Sequence, residues 1–164
     1  MAAQVTSQRT FNTPLEAGLR VLFILAAAGR RAFDCQRLVY FDYILVHSAE
    51  VGGDPSLHPD TPSQKTEILV RRDLVQDGLA LMRSRELVER KFASTGIVYA
   101  ATKAGTHVTE QFDSTYAAAL RSRAHWIIAT FGDFTDDKLA GLLKARVASW
   151  RDELVVHRDP QLLD

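Results

Sequence analysis

Residues 66–105 read TEILVRRDLVQDGLALMRSRELVERKFASTGIVYAATKAG, and the order of signals within them decides the fold. Apolar residues at helical spacing run to Met82 and Arg83, after which the period changes to that of a strand beginning at Leu87 and Val88. A second strand passes through Tyr99. Each alternating run is too brief to be stable alone, so the two must pair. Ala93, Ser94, Thr95 and Gly96 supply the small residues that such a hairpin turn requires. Thr102, three residues before Gly105, is placed to start another helix. Helix, hairpin and helix in that order predict a mainly α protein with a small β-hairpin (α+β). The expected core is a winged helix-turn-helix with additional C-terminal helices.

At 164 residues the chain is long enough to bury a core without staples. Its 20 basic residues balance 20 acidic ones, so a phosphate-binding surface would need strong local segregation of charge, and that segregation is only partial. The single cysteine, Cys35, cannot form an internal disulfide, and no secretory pattern precedes Thr10. The most apolar run, Val21 to Ala28, is too short to cross a bilayer. These features predict a soluble, cytoplasmic protein.

The N-terminal stretch 1–12 is polar and unpatterned, and reads as a flexible lead-in. Thr13 then caps a helix whose first position suits Pro14, with Glu16 where a capping box places a carboxylate. Leu15, Leu19, Leu22, Phe23 and Ala26 give that helix one buried face, and Gly29 stops it. Asp34 caps a second helix reaching about His47, with a stripe at Leu38, Phe41 and Leu45 that Tyr40, Tyr43 and Ile44 widen.

Between them and the central stretch lies 48–64, SAEVGGDPSLHPDTPSQ, where Gly52, Gly53, Pro55, Pro59 and Pro62 exclude helix and central strand. A connection of this length is usually functional or disordered, and Leu57 and His58 between prolines suggest one that is pinned down. His47, Ser48, Gly52, Gly53, Ser56, Leu57, His58, Pro59 and Pro62 form the candidate partner-contact loop. An ordered connector tucked against the core is the competing reading.

The third helix, from about Lys65, faces Ile68, Leu69, Val75, Leu79 and Met82 inward, and its interior Gly78 marks either a kink or a close approach of another backbone, the second being preferred. By position it is the helix that would enter a major groove. Lys65, Arg71, Arg72, Arg90 and Lys91 are the candidate nucleic-acid contacts, with Arg83 a further outward cation. Glu67, Asp73 and Asp77 lie among them and oppose attraction to phosphate, and the tip of the hairpin is uncharged. A long helix is expected from about Thr106 to Phe131, through Val108, Phe112, Tyr116, Ala119, Leu120 and Ile127. Thr135 caps a last one with a stripe at Leu139, Leu142, Leu143, Val147, Trp150 and Leu154. The chain thus divides into the lead-in, a single winged-helix domain over 13–156 whose helical extension begins near 106, and a tail at 157–164.

No cluster of residues demands a particular chemistry. The histidines, at 47, 58, 107, 125 and 157, have no zinc-motif spacing, and Asp54 and Asp60 beside two of them are what any polar loop collects. Cys35, near a helix start, could be somewhat acidic, yet lacks a histidine at a recognisable distance. Gly52, Gly53 and Asp54 lack the lysine of a phosphate-binding loop. No catalytic, metal or cofactor-binding residue is assigned, no cofactor is expected, and the expectation is of a protein that is not an enzyme.

The run His47, Ser48, Gly52, Gly53, Ser56, Leu57, His58, Pro59 and Pro62, followed by the winged unit and by Tyr116 with the Trp126 region, resembles the middle component of bacterial ABC-three-component (Lamassu-type) defence systems. The similarity extends from about Phe11 to about Trp150. It implies a non-enzymatic adaptor between an ABC or SMC-like ATPase and an effector, a nuclease or protease, in an anti-phage complex. The alternative is a homodimeric winged-helix transcription regulator whose basic residues contact DNA.

Overall fold

The computed structural model describes residues 13–59 and 64–145, with side chains described at 13–59 and 70–145. The chain forms two compact units, 1–133 and 134–164. In the first, helix α1 (Pro14–Ala27) is the axis. The Thr13 hydroxyl accepts the Glu16 N–H at 3.3 Å, and Pro14 occupies the first turn, as the sequence leads one to expect. A single buried face does not suffice, however. Ala17, Val21, Leu22, Ile24 and Leu25 are all fully buried, because α1 is packed on by every neighbouring helix and by the hairpin. Leu15, expected in the stripe, is 52% exposed in the first turn.

Helix α2 (Cys35–Val46) starts at Asp34, whose carboxylate accepts the Arg37 N–H at 2.8 Å. Its side chains from Phe41 to Val46 are buried without interruption, Asp42 among them. Helix α3 (Gln64–Ser84) crosses α1 at two glycines. A Cβ on Gly78 would stand 2.5 Å from the Gly18 nitrogen and 2.9 Å from the Pro14 carbonyl oxygen, so the backbones touch where any side chain would separate them. The expected side chains Val75, Leu79 and Met82 are buried, while those of Ile68 and Leu69 lie outside the described set.

Glu86, at φ 59°, turns the chain from α3 into β1 (Val88–Ala93), which pairs antiparallel with β2 (Gly96–Ala101). Register places Val88 opposite Ala101, Arg90 opposite Tyr99 and Phe92 opposite Ile97. Phe33 adds one rung to the other edge of β2 through reciprocal backbone bonds with Tyr99. Thr102 locks the base of the hairpin. Its hydroxyl donates to the Glu86 carbonyl at 2.7 Å and accepts the Gly105 N–H at 3.0 Å, which starts α4 (Lys103–Gln111).

The single long helix expected after Gly105 is two. Helix α4 stops at Phe112, and Ser114 caps a separate α5 (Thr115–Phe131) by accepting the Ala117 N–H at 3.1 Å. Phe112 and Tyr116 lie four residues apart and so mimic one continuous stripe, yet both are exposed to solvent. Arg121 holds the break by donating to the Thr109 and Phe112 carbonyls at the end of α4. In the second unit Thr135 caps a helix, α6, seen over 136–145, by accepting the Lys138 N–H. Leu139 and Leu143 on it are buried. Val147, Trp150 and Leu154 fall outside the described residues. Among the described residues no helix is long and apolar enough to cross a membrane.

Candidate functional site

The segment following α2 is held from two sides. His47 ends the helix and is buried, its ring 4.6 Å from that of Tyr43 and its Nδ1 3.8 Å from a Glu50 carboxylate oxygen. Ser48 opens a short 3₁₀ turn (Ser48–Val51) and donates to the Asp54 carbonyl at 2.8 Å. The Val46 carbonyl accepts the N–H groups of both Leu57 and His58, and the Ala49 N–H bonds to the Ser56 hydroxyl. The chain therefore closes on its own start, as a compact loop does.

From the other side, α5 grips it. Arg123 donates to the Pro55 carbonyl at 2.6 Å, to the Ser48 hydroxyl at 3.3 Å and to the Ala119 carbonyl of its own helix. The Trp126 ring lies over Gly53, where a Cβ would come within 2.6 Å of it. His58 stacks on Tyr116 with rings 7° apart, its Nε2 being 3.0 Å from the phenol oxygen. Burial, aided by Arg20, Arg71 and His47, pushes the His58 imidazole down to about 4, so it is neutral near pH 7. Tyr116 is pushed up, chiefly by burial.

Beneath this loop lies a buried ionic cluster that sequence reasoning missed. Asp42, with no exposed surface, accepts from Arg20 through Nε at 2.7 Å and Nη2 at 3.2 Å, and from Arg71 at 2.6 Å. Burial raises the Asp42 carboxyl, but the two guanidiniums and their hydrogen bonds outweigh it and hold the group below the usual carboxylate range. Arg20 is raised in turn, burial being overcome by Asp42. The signal was present in LVYFDYILV (residues 38–46), where one carboxylate interrupts an apolar helix.

The residues proposed to meet DNA do not form one surface. Arg71 is 4% exposed and turned to Asp42, which corrects its placement as an outward cation: the partner carboxylate sits inside the core. Arg72 is exposed; the Lys65 side chain lies outside the described set. Arg90 and Lys91 alternate onto opposite faces of β1. Lys91, 3.1 Å from Glu89, lines a cleft with Arg30 and Lys103, whereas Arg90 lies beside the end of α3. Of the loop candidates, His47 and Ser48 point inward, Gly52 and Pro59 are exposed, and Gly53, Ser56, Leu57 and His58 are half-buried; Pro62 is outside the described residues.

Among the described residues no group of three or more His, Cys, Asp or Glu side chains is placed to hold a metal ion. Cys35 is half-buried at the start of α2, and burial raises its thiol, opposing the acidic shift its position suggested. Among the described residues the most exposed large apolar side chain is instead Phe92, at 78%, with Ile97 directly opposite it at 43%.

One family model, described as ABC-three component (ABC-3C) system Middle Component 2, matches residues 10–153. No curated protein and no solved structure matches the chain.

Proposed function

The chain belongs to the middle component 2 family of ABC-three-component systems, and from that premise we propose that it is a non-enzymatic adaptor, joining an ABC or SMC-like ATPase to an effector in a bacterial anti-phage complex. Membership makes it one part of a multi-component system. The observation that carries the adaptor role is the outer end of the hairpin, where Phe92 and Ile97 face solvent as a cross-strand pair. Large apolar side chains gain nothing from phosphate and a great deal from a protein surface. The interleaved Arg72, Asp73 and Asp77 on the exposed side of α3 favour the same reading, because alternating signs leave no track for a nucleic-acid backbone. In this role α3 with its hairpin is a winged unit used as a rigid platform, and the effector, a nuclease or protease, carries the damage.

Co-expression with the ATPase and effector encoded beside it tests the proposal. The expected result is one complex containing all three, with ATPase and effector failing to associate when this chain is omitted, and loss of phage resistance in cells lacking it. Association of the other two without it would remove the adaptor role. The rival, a homodimeric regulator, requires the isolated chain to bind duplex DNA with an affinity that falls roughly tenfold or more between low and moderate salt.

A further inference from the structure

The two faces of β1 have different settings, and the one carrying Val88, Arg90 and Phe92 is only partly covered. Val88 is buried against the end of α3; farther along, Arg90 and Phe92 overhang an open groove of about 520 Å³ floored by Ala80, Arg83 and Ser84. The Arg90 guanidinium lies 5.6 Å from the Phe92 ring centre, a contact that favours its position over the groove. Neither Arg83 nor Arg90 has a carboxylate partner among the described residues. The groove's acidic residue, Glu89, is taken up by Lys91 on the other side of the strand.

We propose that this groove is the docking site for an amphipathic, acidic segment of another subunit of the system, which seats apolar side chains on Phe92 and Ile97 and carboxylates on Arg83 and Arg90. The inference rests on the adaptor reading and adds to it the surface and the chemistry of the contact. Charge complementarity selects the occupant. Two guanidiniums with no carboxylate partner among the described residues select carboxylates or phosphates, and the adjoining apolar pair selects a protein segment over a nucleic-acid backbone. An aromatic flanked by arginine, once a partner covers it, is also the composition of an interface hot spot.

The test uses the full chain co-expressed with the neighbouring ATPase and effector. Phe92→Asp, and separately Arg83→Glu with Arg90→Glu, are expected to weaken capture of one subunit by about thirtyfold or more, while Lys91→Glu, on the opposite face of the same strand, changes it by less than about threefold. A photo-crosslinking amino acid at position 92 should capture a peptide of that subunit with Asp or Glu within one helical turn of a large apolar residue. Thermal melts of each variant matching the wild type exclude misfolding as the cause. Retention of full capture by both groove variants overturns the inference and leaves the adaptor reading standing; failure of the wild type to capture either subunit ends both. A crosslink to a second copy of this chain overturns it. So does a short DNA duplex whose shift depends on Arg83 and Arg90 but not on Phe92.

Discussion

Two arginines in this protein lie over aromatic rings at the same distance and in opposite circumstances. Arg71 sits 5.6 Å from the Tyr43 ring centre in the core, and Arg90 sits 5.6 Å from that of Phe92 at the outer end of the hairpin. The first has a carboxylate, Asp42, 2.6 Å away; the second has none among the described residues. A guanidinium removed from water must be paired, and one left at a groove mouth need not be. The difference between structural and available cations therefore lies in a third residue, and it separates a region that holds the fold from one free to meet something else.

The strongest challenge to that division is Asp42→Asn, which keeps the volume but removes the charge between Arg20 and Arg71. Loss of one member of a buried ionic group costs about 3–5 kcal/mol, because the remaining charges stay desolvated. Urea unfolding should show a midpoint lowered accordingly. The pH dependence has a definite sign. Because the folded Asp42 carboxyl is held below its ordinary value of 3.8, the unfolded chain takes up the proton first as pH falls. Its stabilisation is complete above that value and is lost as pH drops through the lower folded value. The gap between wild type and variant should narrow below about pH 4. Absence of a gap at any pH would mean that Asp42 contributes through shape alone, since asparagine keeps that shape.

Gly78→Ala comes next. Alanine is the better helix former by about 1 kcal/mol, so an uncrowded site would gain stability. Here the new methyl would stand 2.5 Å from the Gly18 nitrogen, backbone that no rotamer change can clear. A net loss of about 2–3 kcal/mol is expected from the forced separation of α1 and α3. Arg123→Ala follows, at about 1.5–3 kcal/mol for charge-assisted bonds to the Pro55 carbonyl and Ser48. Its signature is local. Amide exchange across 48–59 should rise while α1 and α3 keep their protection.

What the sequence disclosed divides along the same line. Helix starts were legible, because Thr13, Asp34, Thr102 and Thr135 each need only their own next few residues to act as caps. Gly78 as a point of close approach was legible for a similar reason, since a helix interior tolerates glycine only at a cost. The hairpin and the place of its turn followed from the small residues Ala93 to Gly96, and the resemblance to a middle component was carried by the loop and its flanks. The break at Ser114 was hidden, because Phe112 and Tyr116 keep helical spacing across it. Inward and outward arginines were not separable, because the partner of Arg71 is 29 residues away on another helix. The loop's tether to Arg123 and Trp126 was equally remote: a polar, proline-rich segment looks the same whether its carbonyls face solvent or a guanidinium.

The smallest expected effect on stability sharpens the contrast most. Phe92→Asp replaces a large apolar side chain that is 78% exposed, so folding of the isolated chain should change by no more than about 1 kcal/mol, the scale of the cross-strand pair with Ile97 that it removes. At Arg90 two opposing terms nearly cancel. The substitution removes the cation–π contact with Arg90, worth about 0.5–1 kcal/mol at an exposed site, but places a carboxylate beside that same guanidinium, where a surface ion pair returns a similar amount. Urea midpoints that differ by no more than that amount, measured at the same salt concentration, are the expected outcome. A loss above about 2 kcal/mol would show that Phe92 is part of the core's support after all, and the hairpin end would then belong with Asp42 on the structural side.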